Sequence, residues 1–434
     1  MTRPTPPTES VRPVAHERPA SAAEAPPAGD VKTVTIDDGA ARRLAAGHLW
    51  VYRNQVVGGG PLRDGSFVRV RTRRGECLGR AMVSATSTIA LRLVTRRDRP
   101  ADSQLVRERV RAARVRRQRL GIATRDAASA YRLLHAEADR LPATVVDVYG
   151  PHVVVQTLTR AAENLLPALE RALVDELAPA SILARNDPAV RELEGLPREV
   201  RQLRGETPPG VHIHEDGVHL EVDLRAGHKT GAFLDQRQNR RRTGELGGRR
   251  VLDCFCYDGA FALHAAPRAE QVTAVDISAE ALARARRNAR DNGHRAIEFR
   301  EANAFDVLRE YAAEGRQFDL VILDPPAFAK NRAAIEGALR GYKEINLRAM
   351  KLVAPGGCLV TASCSYHLDE RHFGEVLSAA AADARREIVV VEKRGQAPDH
   401  PVLLGVPETA YLKCWILELG GPLAAIARGR RPRR

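Results

Sequence analysis

Aromatic residues are scarce in this 434-residue chain, at 4 per cent, and lysine is so rare that arginine supplies nearly all of its positive charge. No apolar run approaches the roughly 20 residues needed to cross a bilayer, which argues against membrane-spanning helices. The opening MTRPTPPTES lacks the apolar centre of a secretion signal. Only six cysteines occur, at 77, 254, 256, 358, 364 and 414, with neither disulfide-ladder nor metal-finger spacing. A reducing cytoplasm and no bound metal are therefore expected. A G-x-G-x-x-G fingerprint is missing as well, which argues against a dinucleotide held by its pyrophosphate.

What is present is a globular composition, 44 per cent hydrophobic and 28 per cent charged. The length calls for two or three domains. The formal charge is +14. Arginine makes planar, bidentate contacts with phosphate and stacks on bases, so nucleic acid is the first partner to consider. The alternative is arginine that merely decorates solvated faces, and the position of the charge decides between them.

Residues 1–30 are Pro, Ala, Ser and Glu without an apolar period and read as a disordered tail. Residues 421–434 end in ARGRRPRR, a basic tail. From 31 to 101, short β runs separated by Gly and Asp-Gly turns predict a small, strongly bent barrel. A short helix in it, GAARRLAAG, presents Arg42 and Arg43. Residues 102–228 predict a central α/β domain. Its first helix has Leu105, Val106, Val110, Val115 and Leu120 as apolar members, and its arginines, among them Arg111, Arg114 and Arg117, form a basic face. A hairpin turning at Tyr149-Gly150-Pro151, one amphipathic helix (AENLLPALERALVDEL), a buried strand (ASILARND) and a second hairpin turning at Asp216-Gly217 follow. From 229 to 420 apolar strands alternate with helices, which predicts an α/β, doubly wound, mainly parallel sheet of Rossmann-like type.

The chemistry concentrates at the strand ends of that last region. Asp253 ends its first strand, and Gly259 lies in the turn to the next helix, where a backbone can approach a ligand. Asp276 ends the second strand, 23 residues beyond Asp253, a spacing that suits an acid binding ribose hydroxyls. A nucleoside without phosphates needs fewer glycines, which favours S-adenosylmethionine over NAD or FAD. A later strand ends in Asp324-Pro325-Pro326-Ala327-Phe328. The prolines hold an extended backbone, and Phe328 is either a core aromatic or a stacking surface for a planar base. Cys364 ends the following strand between two serines, which makes it either a buried packing residue or a nucleophile. Cys254 and Cys256 read as packing residues of the first strand.

These segments resemble a known family. GAARRLAAGHLWVYRNQV resembles the start of a PUA domain. YRLLHAEADRLPATVVDVYG, RNDPAVRELEGLP, KTGAFLDQRQNR, DPPAFAKN, SCSYHL and GQAPDHPVLLGVPETAYLKC resemble, in order, blocks of the class I ribosomal RNA large-subunit methyltransferases that make 5-methylcytosine. The likeness runs from about 31 to 420. It implies a PUA domain, a central α/β domain and a methyltransferase domain that binds S-adenosylmethionine. It implies cofactor contacts from Phe233, Asp235, Gln236, Arg237, Asp253, Tyr257, Gly259, Asp276, Asn303 and Asp324. Asp324 would also stand beside the target base, with Cys364 as nucleophile and large-subunit ribosomal RNA as partner. RNA contacts are expected from Arg42, Arg43, His48, Trp50, Arg111, Arg114, Arg117 and Phe328, and a homodimer is compatible with all of this. The chain departs from the family at Asp258-Gly259-Ala260, where Thr-Gly-Gly is common, and at Asn303, where an acid is common. Two other readings stand beside this one. A methyltransferase acting on a purine nitrogen would need no thiol, and a non-catalytic RNA-binding assembly factor would need no cofactor.

Overall fold

A computed structural model describes residues 31–123, 129–328, 335–366 and 368–423. The tail at 1–30 and all but the first three residues of the basic tail lie outside them. The first unit contains β1 (Thr33–Ile36), α1 (Asp38–Ala45), β2 (Trp50–Tyr52), β3 (Val56–Gly58), β4 (Phe67–Arg71), β5 (Cys77–Val83) and β6 (Ile89–Thr95). They form one sheet in the order β2-β6-β5-β4-β1-β3. Register shifts in β1, β2, β4 and β5 bend it, because a bulge raises the local twist. Alternation along β4 buries Val68 and Val70 and turns Arg69 and Arg71 outward. Val406, from near the other end of the chain, completes this core, so the barrel is joined to the rest.

The second unit runs through α2 (Ser103–Arg119), β7 (Ala130–His135), β8 (Thr144–Tyr149), β9 (His152–Thr157), α3 (Arg160–Asn164), α4 (Leu166–Leu177), β10 (Ser181–Asn186), α5 (Val190–Leu193) and β11 (Glu199–Arg204). Its sheet order is β11-β10-β9-β8-β7. The first hairpin turns where expected, with Tyr149 opposite His152. The single amphipathic helix expected over 162–177 is two helices. Pro167 sits in the first turn of α4, where its missing amide costs nothing, and α3 ends just before it.

Helix α2 corrects the sequence reading more sharply. Its buried stripe is Leu105, Val106, Val110, Ala113 and Arg117, while Val115 and Leu120 are 37 and 48 per cent exposed. Arg117 is fully enclosed. Its Nη1 and Nη2 donate to the two oxygens of Asp139 at 2.6 and 2.7 Å, Nη2 also donates to the Asp399 carbonyl at 2.7 Å, and Nε donates to the Arg132 carbonyl at 2.9 Å. A guanidinium so completely satisfied packs like a core side chain.

A hairpin of β12 (Val211–Glu215) and β13 (Val218–Val222) follows, and Asp216 and Gly217 both take positive φ, as its two-residue turn requires. Its Val211, Ile213, Leu220 and Val222 join a core with Tyr149 and Leu183 on one side and Leu263 and Ala289 on the other. The last unit comprises α6 (Arg237–Leu246), β14 (Arg250–Cys254), α7 (Ala260–Ala265), β15 (Gln271–Asp276), α8 (Ala279–Asp291), β16 (Ile297–Glu301), α9 (Ala304–Ala313), β17 (Phe318–Leu323), α10 (Ile335–Leu352), β18 (Val353–Ser363), α11 (Glu370–Ala384), β19 (Arg386–Arg394) and β20 (Lys413–Pro422). Seven strands run in the order β16-β15-β14-β17-β18-β20-β19, parallel from β16 to β18, with β20 antiparallel to both neighbours. Central β14 and β17 are buried along nearly their whole length because helices cover both faces.

Candidate active site

Strand β14 lies between β15 and β17, so successive crossovers leave it on opposite sides and open a crevice beyond its carboxyl end. The turn after β14 is strained: Phe255, Tyr257 and Gly259 have φ of 66°, 49° and 81°. At Gly259 a side chain is disfavoured twice, by this conformation and by a Cβ that would crowd the Ala285 Cβ at 3.1 Å. The crevice is a cavity of about 420 Å³ assembled from the ends of β14 to β18 and the loop before α6. One wall is apolar, made by Phe255, Ile277, Ala302, Phe305 and Phe328. The polar part of the lining includes Lys229, Asp235, Gln236, Asp324 and Cys364.

The structure brings together most of the residues expected to bind cofactor or substrate base. Phe233, Asp235, Gln236, Tyr257, Asp276, Asn303, Asp324, Phe328 and Cys364 all line this cavity. Asp276 accepts from the Tyr257 and Ser278 amides, one on each oxygen at 2.9 Å, which fixes its carboxylate at the rim. Asn303 caps α9 by accepting from the Phe305 amide at 2.9 Å, leaving its NH₂ as donor. Phe328 packs on Tyr342 with ring centres 4.6 Å apart and also borders the cavity. Gln236 donates to Asp324 Oδ1 at 2.9 Å and accepts from Asn239 at 2.6 Å, so the acid is oriented from two residues away.

Three expected cofactor contacts are not at the cavity surface. Asp253 is fully buried and accepts from the Ala262 amide at 3.0 Å, holding the first turn of α7. Arg237 donates to the Ala130 carbonyl at 2.7 Å and lies 3.3 Å from Asp399, which ties α6 to the central sheet. Gly259 shapes the turn rather than lining the space. Lys229, Phe305 and Lys413 were missed, and Asp258 was read only as a departure from the family pattern. Lys229, itself at positive φ, donates to Asp235 Oδ2 at 2.6 Å, an ion pair that only the folded loop creates. Phe305 follows a helix cap, and that position was the one available signal for it.

The electrostatics divide the site. Asp235 is held well below the usual carboxylate range; burial opposes this, but Lys229, His400 and the Tyr411 hydroxyl more than offset it. Asp324 is pushed up to about 6 by burial and then by Asp235. Asp258 is also pushed up to about 6, chiefly by burial, despite Arg240 and Arg284 nearby. Burial and then Asp324 raise the Cys364 thiol, while Lys229 and Lys413 pull it back. Lys413 is lowered to about 8 by burial and donates to the Ser365 carbonyl at 2.8 Å. Since Asp324 and Cys364 disfavour each other's negative charge, a thiolate forms most readily when Asp324 is protonated.

Several residues expected to contact RNA are engaged within the fold, His48 and Trp50 at joints between units and Arg43 inside the barrel. His48 accepts from the Trp50 amide and lies 3.3 Å from Glu408, and the Trp50 indole donates to Glu137 at 3.0 Å. Arg43 donates to the Trp50 carbonyl and to Gln55. Arg117 is enclosed, as described above. Arg42 remains exposed, and Arg111 and Arg114 share Glu176 across α4 at 3.4 and 3.2 Å. No group of three or more His, Cys, Asp or Glu suited to a metal occurs among the described residues, and no described helix is long and apolar enough to cross a membrane.

An open parallel sheet with an acid-rimmed, partly apolar crevice at its switch point defines a nucleoside-cofactor enzyme of α/β type. Comparison with known proteins narrows this. The family profile of S-adenosylmethionine-dependent methyltransferases matches residues 146–415, and that of PUA-like domains matches residues 34–96. Ribosomal RNA large subunit methyltransferase I of Photobacterium profundum is 41% identical over 88% of this chain and 98% of its own length. The protein of that name from Shewanella denitrificans is 39% identical over 88% and 97%. Among solved structures, a methyltransferase complexed with SAH superposes with a TM-score of 0.78 at 19% identity, covering 89% of this chain and 99% of that one. The chain belongs to the S-adenosylmethionine-dependent methyltransferase family that these large-subunit methyltransferase I proteins represent.

The cavity fits that cofactor. Its volume is that of a small-molecule site, its apolar wall suits an adenine ring, and Asp276 offers a fixed carboxylate to ribose hydroxyls. Asp235 Oδ1 is buried with no hydrogen-bond partner among the described residues, beside Lys229, so the polar wall holds both an acceptor for an ammonium and a donor for a carboxylate.

Proposed function

We propose that this protein methylates carbon 5 of a cytosine in large-subunit ribosomal RNA through a covalent adduct at Cys364. The names of its relatives support the RNA class. The observation that carries the chemistry is that Cys364, an acid raised to about 6 and an aromatic face border one cavity with the cofactor residues.

Carbon 5 of cytosine is a poor nucleophile. When bound, S-adenosylmethionine supplies an electrophilic methyl group. The Cys364 thiolate adds to carbon 6, which pushes an electron pair toward carbon 5. Protonated Asp324, oriented by Gln236, donates to the ring nitrogen and stabilises the charge that develops there. Phe328 provides a face for the extruded base. Once carbon 5 carries the methyl group, a base takes its proton, the electron pair of that C–H bond re-forms the double bond to carbon 6, and the thiolate leaves carbon 6 with the pair of the C–S bond.

Cys364→Ala should abolish methyl transfer while leaving cofactor and RNA binding nearly intact, because neither needs the sulfur. RNA carrying 5-fluorocytosine at the target should trap the parent protein as an adduct that survives a denaturing gel, since fluorine cannot leave as the proton does. The Cys364→Ala variant should form none. Retained turnover in that variant would move the reading to a ring or exocyclic nitrogen, whose methylation needs no thiol.

A further inference from the structure

A second cavity, of about 510 Å³, lies where the barrel, helix α2 and the segment around Leu403–Gly405 meet, and it shares no lining residue with the cofactor cavity. Five arginines border it: Arg96 and Arg97 just past β6, Arg99, Arg109 on α2, and Arg140 in the turn before β8. Glu108 is the single acid among its lining residues, and it is taken by Arg99 at 2.8 Å. The other arginines have no carboxylate partner. Arg96 donates only to carbonyls, those of Leu44 and His48. Arg109 reaches the Val94 carbonyl at 3.5 Å, and its buried Nε has no partner. No hydrogen bond or ion pair joins the side chain of Arg97 or Arg140 to any described residue.

Carboxylates close in sequence are all committed elsewhere. Asp98 binds Arg69 and Arg80, Asp102 caps α2, Glu137 receives the Trp50 indole, and Asp139 holds Arg116 and Arg117. Many arginines elsewhere on this molecule pair with Asp or Glu, whereas four of the five gathered around this one cavity do not. The crowding registers on the arginines themselves: burial first, then Arg140, lowers both Arg96 and Arg109. Like charges gathered from three parts of the fold repel one another, and an anion in the cavity relieves that repulsion.

We infer that this cavity is a phosphate site that grips the sugar–phosphate backbone of the RNA substrate, away from the reacting base. A guanidinium fork matches a phosphodiester's two free oxygens, and several forks around one concavity suit a backbone phosphate better than a base edge. The proposal rests on the RNA reading given above and adds to it where the substrate is held. It also ties substrate position to the joint between barrel and catalytic unit, because the site is complete only when the two are docked.

The test compares the full-length parent, Arg97→Gln/Arg140→Gln, and a control, Arg73→Gln/Arg74→Gln, which removes the same charge from an exposed turn of the same barrel. Binding to a large-subunit ribosomal RNA fragment is measured across a salt series, with cofactor affinity by calorimetry as the check on folding. The Arg97/Arg140 pair should flatten the log–log salt slope by about 1.4 to 1.8, the value for two lost phosphate contacts. It should leave cofactor affinity unchanged, and the control should alter the slope far less. Equal slopes in parent and Arg97/Arg140 variant, or an equal loss in the control, would overturn the site. A parallel arm reads the melting temperature with inorganic phosphate. Stabilisation of the parent by millimolar phosphate with an unchanged RNA slope would make this a site for the free anion and overturn the RNA assignment. A parent that binds no RNA at any salt would instead sink the functional reading itself.

Discussion

Helix α2 and the cavity at the ends of β14 to β18 are both crowded with ionisable side chains, and they end in opposite states. On α2 most of the charges are matched, Arg117 with Asp139, Arg111 and Arg114 with Glu176, and Arg107 with Asp175 at 3.2 Å, with Arg109 at the second cavity as an exception. In the cavity they are left in tension, with Asp324 and Asp258 raised and Asp235 keeping one oxygen unpartnered. Matched charge builds structure. Unmatched charge that is kept dry destabilises the fold and is retained where chemistry uses it. The arginine-rich helix, which looked like the binding surface, is largely a beam between the barrel and the central sheet, and the reactive charge sits among carboxylates.

The contrast is broken most severely at Arg117. Arg117→Met should cost about 3 kcal/mol in denaturant unfolding, because it takes the two-pronged partner from buried Asp139, leaving it Arg116 and the His135 amide, and removes a donor from the Asp399 carbonyl. Arg111→Gln, on the exposed face of the same helix, should change stability by less than about 0.5 kcal/mol. A similar cost at both positions would show that burial does not separate them.

Within the cavity, Asp276→Ala should weaken S-adenosylmethionine binding by roughly 1.5–3 kcal/mol, the range for hydrogen bonds to a charged group. Unchanged affinity by calorimetry would remove Asp276 from the ribose site. Asp324→Asn sharpens the comparison from the other side. A carboxyl whose pKa is raised by folding favours the native state when protonated, and that contribution is lost as pH rises from about 4 through about 6. The amide keeps the acceptor for Gln236 but not the charge, so the variant should be more stable than the parent at pH 7 by roughly 1–3 kcal/mol. Most of that gain should vanish in melts at pH 4, and methyl transfer should fall at every pH. A variant less stable at pH 7 would mean the carboxylate is structural.

Much of the architecture was legible in the chain. Alternation located the strands of the first barrel, Asp216-Gly217 marked the hairpin of β12 and β13, and the strand–turn–helix cadence after 229 specified the parallel sheet together with Asp276, Asp324 and Cys364 at its edge. These are local signals, because each depends on the period of one element or on the residue that ends it. The fate of individual polar side chains was not legible. Arg117 and Arg111 look alike in a helix of arginines, and only the arrival of Asp139 and Asp399 from distant segments separates a core residue from a surface one. Asp253 and Arg237 sit in segments that resemble a cofactor motif, yet one is spent on the start of α7 and the other on the Ala130 carbonyl. The five arginines of the second cavity are spread over some 45 residues of sequence and meet only after the barrel docks. Sequence determined the elements and the order of the reactive strand ends, because backbone periodicity is local. Tertiary structure decided which charges were neutralised, because a charge's partner and its dielectric surroundings come from elsewhere in the chain.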